Sequence, residues 1–484
     1  MTVHPRTPVL IGIGVADGDG ETEPAGLMAA AARAATSDVR AAGIAGAVDR
    51  IAVPKGNWSY PDPARLVGAR IGATRARTFL VDIGIPQQTL IDDALRAILD
   101  GESEVALVVG GEAKRRSQLA ERDGRVPSET EQPGIEPDVH QRPHGELVAP
   151  AEVSARIWNP VEQYALIENA LRRAEGRSPE AHRDEIAALW ARFNVVAQGN
   201  PHAAFPTPMT AEEIATPGPR NRPLAFPYNK WHSTQWTVDQ AAALLLCSAD
   251  AARSHDVPID RWLFPLVGVD SSLPISLSRR ARMHAWPAMG VLGRAASQHI
   301  GRPLAEVEHV ELYSCFPAAV RVQQRELGLA PDGTPTVTGG MAFAGGPFNN
   351  YVLQATAAMA GRLRESPGAL GVVTTVSGLL TKPGLAVWGT DAPGEPPLVA
   401  DLAKEAEAST DTVESIESYD GEATIASYTV TYTDQQPSRL VVIADTPAGA
   451  RCVATSEDRR LAAEGVRNEL AGRRIMVRGG SILA

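Results

Sequence analysis

Apolar positions along the chain fall into two patterns: short continuous runs, and residues spaced three and four apart. The run Pro8 to Val15 (PVLIGIGV) reads as a buried strand, followed by Gly- and Asp-rich turn residues and an Ala-rich helix from Glu23 to Ala42. In residues 81–116, Pro86 marks a helix start; Leu90, Ile91, Ala94, Leu95 and Ile98 make one apolar face, and Gly101 ends the helix. Val105 to Val109 then runs unbroken into Gly110 and Gly111, which is the pattern of a strand covered on both faces. These elements predict the opening of a layered α/β domain.

From Lys114 to Ser233 the composition turns to Pro, His, Arg and charged residues, with helical periodicity only in patches such as Pro160 to Arg173 and Asp184 to Phe193. That excursion is too long for a simple loop and reads as a subdomain. The core pattern resumes with VDQAAALLLCSADAARSHDV, a buried strand then a helix. A second half begins near Trp262. Its elements (FPLVGVDSS, a helix from Ala285 to Ile300, VEHVELYSCF, a helix from Phe316 to Leu327, and the strand GALGVVTTVSG) mirror those of the first, as a duplicated domain would. Beyond Ala408, β-branched and polar residues alternate around turn signals, which predicts antiparallel β structure closed by a helix over Leu461 to Leu470. The organisation expected is a first half over 1–113 and 234–261, a loop subdomain over 114–233, a second half over 262–407, and a small β-rich module over 408–484.

Composition narrows the function classes. A chain of 484 residues, 44% hydrophobic and 21% charged, has ample material for a large folded core. Its net charge of −11 argues against a protein that holds nucleic acid or an anionic membrane through its overall field, while leaving room for a local basic site. Cys247, Cys315 and Cys452 lie far apart, without zinc-site or disulfide-framework spacing, and point to a reducing, cytoplasmic setting. No stretch of eighteen apolar residues predicts a membrane span, and the first residues lack the long apolar core and cleavage site of a secretion signal.

Several segments, in this order and spacing, resemble the thiolase superfamily, most closely the branch called thiolase-like protein type 1, often labelled acetyl-CoA acetyltransferase. They are DDALRAILDGESEVALVVGGEA, VDQAAALLLCSADAA, VEHVELYSCFPAAV, VTGGMAFAGGPFNNY, VVTTVSGLLTK and the C-terminal IASYTVTY. The resemblance implies a thiolase fold, duplicated αβαβα layers with an inserted loop subdomain and an appended C-terminal β domain. It also implies CoA or acyl-CoA as substrate or ligand, with no further cofactor and no metal, and a branch associated with monomers. In thiolases a nucleophilic Cys stands at the start of the helix that corresponds to residues 86–99. That position falls on Gly84 here, with no Cys, Ser or Thr beside it. The family's Gly-His-Pro block, whose imidazole activates the nucleophile, has Gly346 in the His position, and its Cys-x-Gly block, whose Cys acts as acid and base, has Val376 with Ser377 as neighbour. The fourth block reads Tyr313-Ser314-Cys315-Phe316.

Two readings stay open at each remaining candidate. Cys315 is either a surviving nucleophile or a small buried hydrophobe, since no His pairs with it in the sequence. Tyr313 either holds a carbonyl oxygen or caps a loop. Gly339, Gly340, Gly345 and Gly346 either let backbone approach a ligand or make a tight strand-to-helix turn. His232, between two tryptophans in KWHSTQW, either lines a pocket or is a structural histidine, and Lys114, Arg115 and Arg116 either meet CoA phosphates or are solvated surface. Two functions follow: an acyltransferase-like protein with a degenerate site, or a non-catalytic lipid or acyl-CoA binding or scaffold protein of lipid or sterol metabolism.

Overall fold

The computed structural model describes residues 3–483. The strands of the first half are β1 (Pro8–Asp17), β2 (Arg50–Pro54), β3 (Arg77–Val81) and β4 (Val105–Ala113). The inserted stretch adds β5 (Val139–Gln141), β6 (Pro223–Ala225) and β7 (Tyr228–Asn229), and β8 (Asp239–Ser248) completes the half. One sheet takes the order β1-β8-β4-β2-β3-β5. In it β8 runs antiparallel to β1 and β4, whereas β4, β2, β3 and β5 are parallel neighbours. Every residue of β4 and β8 is buried, as their unbroken apolar runs require.

The second half supplies β9 (Phe264–Asp270), β10 (His309–Glu311), β11 (Leu370–Ser377), β12 (Lys382–Gly389) and β13 (Leu398–Asp401), ordered β10-β11-β12-β9-β13. Here β12 runs antiparallel to β9 and β11, and β11 is parallel to β10. Neighbours and directions repeat those of β1, β8, β4 and β2. The duplication expected from the sequence is therefore present in the sheet order itself.

Between the sheets lie two equivalent helices, Gln87–Asp100 and Tyr351–Arg364. The first packs on β4 and β2 of its own sheet and on β9 and β12 of the other; the second packs on β11 and β10 and also on β8 and β1. Both are apolar on more than one face, because each is covered on both sides. Every fully buried Leu or Ile there contributes roughly 1.5–3 kcal/mol. Helices Pro24–Asp38 and Pro63–Ile71 cover the outside of the first sheet, and Pro287–Ile300 covers β9 and β12, which completes the αβαβα layering. The first outer helix stops at Asp38, short of the expected Ala42. Arg40 has a φ of 57°, a left-handed conformation that ends a helix, and the Asp38 carboxylate is engaged by Arg261 at 3.1 Å and Arg364 at 2.6 Å.

The inserted helices Pro160–Ala174 and Pro179–Gln198 attach to the second half through Glu168, which is fully buried. Its carboxylate accepts from His182 Nε2 at 2.8 Å, Tyr228 Oη at 2.7 Å and Arg321 Nη1 at 3.1 Å. Burial alone would raise its pKa, but the His182, Arg321 and Tyr228 interactions outweigh burial and hold it at about 2.

The C-terminal strands β14 (Ser415–Ile416), β15 (Gly421–Thr433), β16 (Gln436–Asp445), β17 (Arg451–Ser456), β18 (Arg474–Arg478) and β19 (Ser481–Leu483) form a third sheet with a helix over Arg459–Arg467. This sheet continues from β15 into β6 and β7, so the inserted stretch contributes its last strands. Asn169 Nδ2 donates to the carbonyls of Phe226 (3.0 Å) and Tyr428 (2.9 Å), and Ser427 Oγ donates to the Leu166 carbonyl at 2.6 Å. Arg451, itself buried, reaches the carbonyls of Arg280 and Ala281. The alternating pattern predicts a module that can be deleted from Ala408 while the rest still folds, and these contacts correct that expectation. Removing the module takes the Tyr428 carbonyl from Asn169 Nδ2 and the Ser427 hydroxyl from the Leu166 carbonyl, and uncovers the apolar face of Pro160–Ala174.

Two outcomes follow. A chain truncated after Ala408 should lose its cooperative melt or become insoluble, which calorimetry and a solubility assay will show. Glu168→Ala should cost about 3–5 kcal/mol in chemical denaturation, because Arg321 is left buried without its central partner. The native pKa of Glu168 lies below its ordinary value of 4.5, so its contribution is complete above about pH 4.5 and is lost as pH falls through about 2. The alanine variant should lack that part of the acid destabilisation.

Candidate functional site

The start of the Gln87–Asp100 helix is shaped by Gly84, whose φ of 102° suits only glycine. A Cβ placed there would lie 3.2 Å from Pro143 and 4.0 Å from the Nζ of Lys382. Lys382 opens β12 opposite Ser377, and Val376 pairs with Pro383. The turn between them is strained. Gly378, Leu379 and Leu380 have φ values of 63°, 60° and 60°, and for leucine such a conformation costs on the order of 1–3 kcal/mol per residue. Its hydrogen bonds hold it in place: Arg280 Nη2 donates to the Leu379 carbonyl at 2.8 Å, Trp286 Nε1 to the Thr381 carbonyl at 3.2 Å, and the Ile275 amide to Thr381 Oγ1 at 2.6 Å.

The glycine-rich block preceding the Tyr351–Arg364 helix is organised by Glu311, at the end of β10 and fully buried. Its carboxylate accepts from the amides of Val337 (2.6 Å) and Thr338 (2.9 Å) and from the hydroxyls of Thr336 (3.0 Å), Thr338 (3.0 Å) and Tyr351 (2.7 Å). The turn so fixed carries Gly339 and Gly340 at φ 95° and 75°. Further on, Gly345 faces Gln240, and Gly346 lies against Thr234. A Cβ on Gly346 would sit well inside 3.0 Å of Thr234 Cγ2, so the space of a side chain at this position is already filled. Thr234 is itself fixed, its amide donating to the Cys315 carbonyl at 3.0 Å and its Oγ1 at 3.2 Å. Asn349 ties this block to the first helix start by accepting from Gln87 Nε2 at 3.2 Å.

Tyr313 and Cys315 are both buried. The Tyr313 amide donates to Thr374 Oγ1, its carbonyl accepts from Gln323 Nε2, and burial raises its phenol pKa. Burial also pushes the Cys315 thiol up to about 12, against the opposing effect of the Tyr164 hydroxyl, so it is protonated at neutral pH. His232 is fully buried. Its Nδ1 accepts from the Asn229 amide at 3.0 Å, which assigns the proton to Nε2, and that nitrogen has no partner. Burial pushes its pKa down to about 4, so the ring is neutral.

The candidates thus fall into two clusters. Gly84, Val376 and Ser377 meet around Lys382, while Gly346 and Cys315 meet at Thr234, and the Tyr313 ring lies against Tyr351. Gly345 instead borders a cavity of about 300 Å³ with His202, Gln240, Gln354 and Tyr351 in its wall. A second cavity of about 450 Å³ shares His202 and Gln240 and includes Arg115 and Phe205; a third of about 790 Å³ shares Phe205 and runs along Pro217 to Asn221. Lys114 lies over the Trp236 ring, and Arg116 donates to the carbonyls of Glu21 and Ser128. Among the described residues, Glu175, His182 and Glu185 stand close enough to hold an ion, but Arg321 already bonds both carboxylates.

Sequence reasoning missed three residues that shape these clusters. Lys382 and Glu311 were legible only as charged residues inside apolar runs (TKPGLAVWG and VEHVELY), and Thr234 had no signal beyond its place in KWHSTQW.

Two mixed sheets on a shared pair of helices, with glycine turns at both helix starts, define a thiolase-fold protein. Human mitochondrial 3-ketoacyl-CoA thiolase matches with a TM-score of 0.57 at 16% identity, covering 80% of this chain and 100% of that one. An acetyl-CoA acetyltransferase from Syntrophomonas wolfei matches with a TM-score of 0.56 at 17% identity, again over 80% and 100%. A monomeric SCP2-thiolase like protein type 1 from Mycobacterium smegmatis matches over 100% of both chains, with a TM-score of 0.85 and 28% identity. Residues 401–480 match the family described as the thiolase-like protein type 1 additional C-terminal domain. The chain thus shares its fold over its whole length with that thiolase-like protein and carries the additional C-terminal domain of the type over residues 401–480. No curated protein matches its sequence.

The filled space at Gly346 has a measurable signature. Gly346→Ala should lower stability by about 1–3 kcal/mol through overpacking against Thr234. Thr234→Ser removes the clashing methyl but keeps the hydroxyl, so the double variant should recover most of that loss in a double-mutant cycle of urea melts.

Proposed function

We propose that this protein binds CoA or a short acyl-CoA and lacks ordinary thiolytic or Claisen activity. The observation that carries the reading is the pairing of chemically silent positions with retained space. Gly84, Gly346 and Val376 offer no group to acylate or titrate, and Thr234 fills the volume beside Gly346. Catalytic groups that act as a unit fail together, so three replacements leave no partial machinery. Cys315 does not substitute for them, because its thiol is held protonated and no imidazole bonds to it.

The ligand side rests on the linked cavities along residues 200–221, between the inserted stretch and the turn at Gly345. Arg115 and Arg220 line their outer parts, where a polyphosphate requires local cations on a chain of net charge −11. No helix among the described residues is long and apolar enough to cross a membrane, and the free cysteines are all buried, which suits a cytoplasmic protein. The monomeric Mycobacterium smegmatis relative supports a monomer here.

With acetoacetyl-CoA and CoA, the purified protein should show no thiolysis above background; turnover on the order of one per second, the low end of ordinary enzymes, overturns the reading. Millimolar CoA should raise the melting temperature, and the rise should shrink as salt shortens the Debye length from about 10 Å to about 3 Å. No stabilisation at either salt concentration removes the ligand half of the reading.

A further inference from the structure

Lysine is scarce in this chain, at five residues against a total of 46 Lys and Arg. Lys55 donates to the Trp58 carbonyl, Lys114 and Lys230 lie over the rings of Trp236 and Trp231, and Lys404 is exposed to water. Lys382 has none of these arrangements. It is 2% exposed, and no carboxylate or acceptor offsets its burial.

Its surroundings add to that exposure of charge rather than relieve it. The ammonium points at Gly84, at the start of the fourteen-residue Gln87–Asp100 helix, whose first turn contains no acidic residue. The peptide dipoles of that helix present their positive end to the same space. An unpaired ammonium in such a place is costly, and burial accordingly lowers the Lys382 pKa. The cover is thin. Pro143, which meets the space above Gly84, is itself exposed, and Leu147 of the same segment packs over Gly378.

We propose that Lys382 is a nucleophilic amine that forms an imine with a small aldehyde or ketone held beside Gly84, beneath the 142–147 segment. The Nζ lone pair attacks the carbonyl carbon, and the amine proton passes to the oxygen, giving a carbinolamine. Loss of water then leaves the C=N bond, with no change in oxidation state. With no side chain at position 84, Nζ faces the helix start directly, and its electropositive end favours the developing oxyanion. The proposal is independent of CoA binding, because it uses the other cluster of the site.

The test uses the full chain with acetone and cyanoborohydride at neutral pH, which reduces any imine to a stable secondary amine. Peptide mass spectrometry then gives the modification rate of each lysine. Lys382 should react faster than exposed Lys404, because burial lowers its pKa and raises the share of neutral amine. Lys382→Arg and Lys382→Met, checked for an unchanged melting temperature, should lose the fast phase and leave the other lysines as before. Modification of Lys382 no faster than Lys404 overturns the proposal, including the case in which Lys382 remains an ammonium and serves an anion instead.

Discussion

Two helices have to satisfy two sheets at once, and the rest of the structure is arranged around that demand. Gln87–Asp100 and Tyr351–Arg364 form a layer shared by both halves, so their side chains meet apolar surface in both directions. Asp92 shows how far this goes. It is fully buried in the layer, and burial together with the nearby Asp270 carboxylate raises its pKa well above the ordinary value. A charge there would have no water to turn to. Because the two helices are equivalent, their starts are equivalent too, and each is preceded by a glycine at a position of interest, Gly84 before one and Gly346 before the other. The site is thus a product of the duplication, built where the shared layer meets the loops.

What occupies those two helix starts differs. At one, a buried lysine stands without a hydrogen-bond partner; at the other, a threonine from a distant loop has closed the space. The strained Leu379 and Leu380 show that the turn between β11 and β12 is held against its local preference by Arg280 and Trp286. Strain of this kind persists only where the surroundings over-determine the backbone.

Much of the fold was legible because burial leaves a period in the sequence. The runs of β4 and β8, the apolar face of Gln87–Asp100 and the alternation in β15 are each visible in a window of ten to fifteen residues, and the family segments supplied the positions Gly84, Gly346 and Val376. What was not legible depends on contacts between distant segments. Glu168 looks like one polar residue in an amphipathic helix, yet it binds His182, Tyr228 and Arg321 from three other places in the chain. Thr234 at Gly346, and Asn169 reaching the Phe226 and Tyr428 carbonyls, leave no local signature either, which is why the C-terminal module read as separable. A composition change marks where a chain segment differs in style, and says nothing of what it leans on.

The short strand β5 has a bearing on how copies of this molecule meet. It pairs Val139 to Gln141 with Phe79 to Val81. Without it, the outer side of β3 would present a row of open amides and carbonyls at the margin of a five-stranded sheet, ready to accept a strand from a neighbour. With it, that margin shrinks to three residues followed by Arg142 and Pro143, and proline has no amide to offer. The inserted stretch therefore acts as a selvedge on the first sheet, and any change that frees it would turn a finished border into an adhesive one.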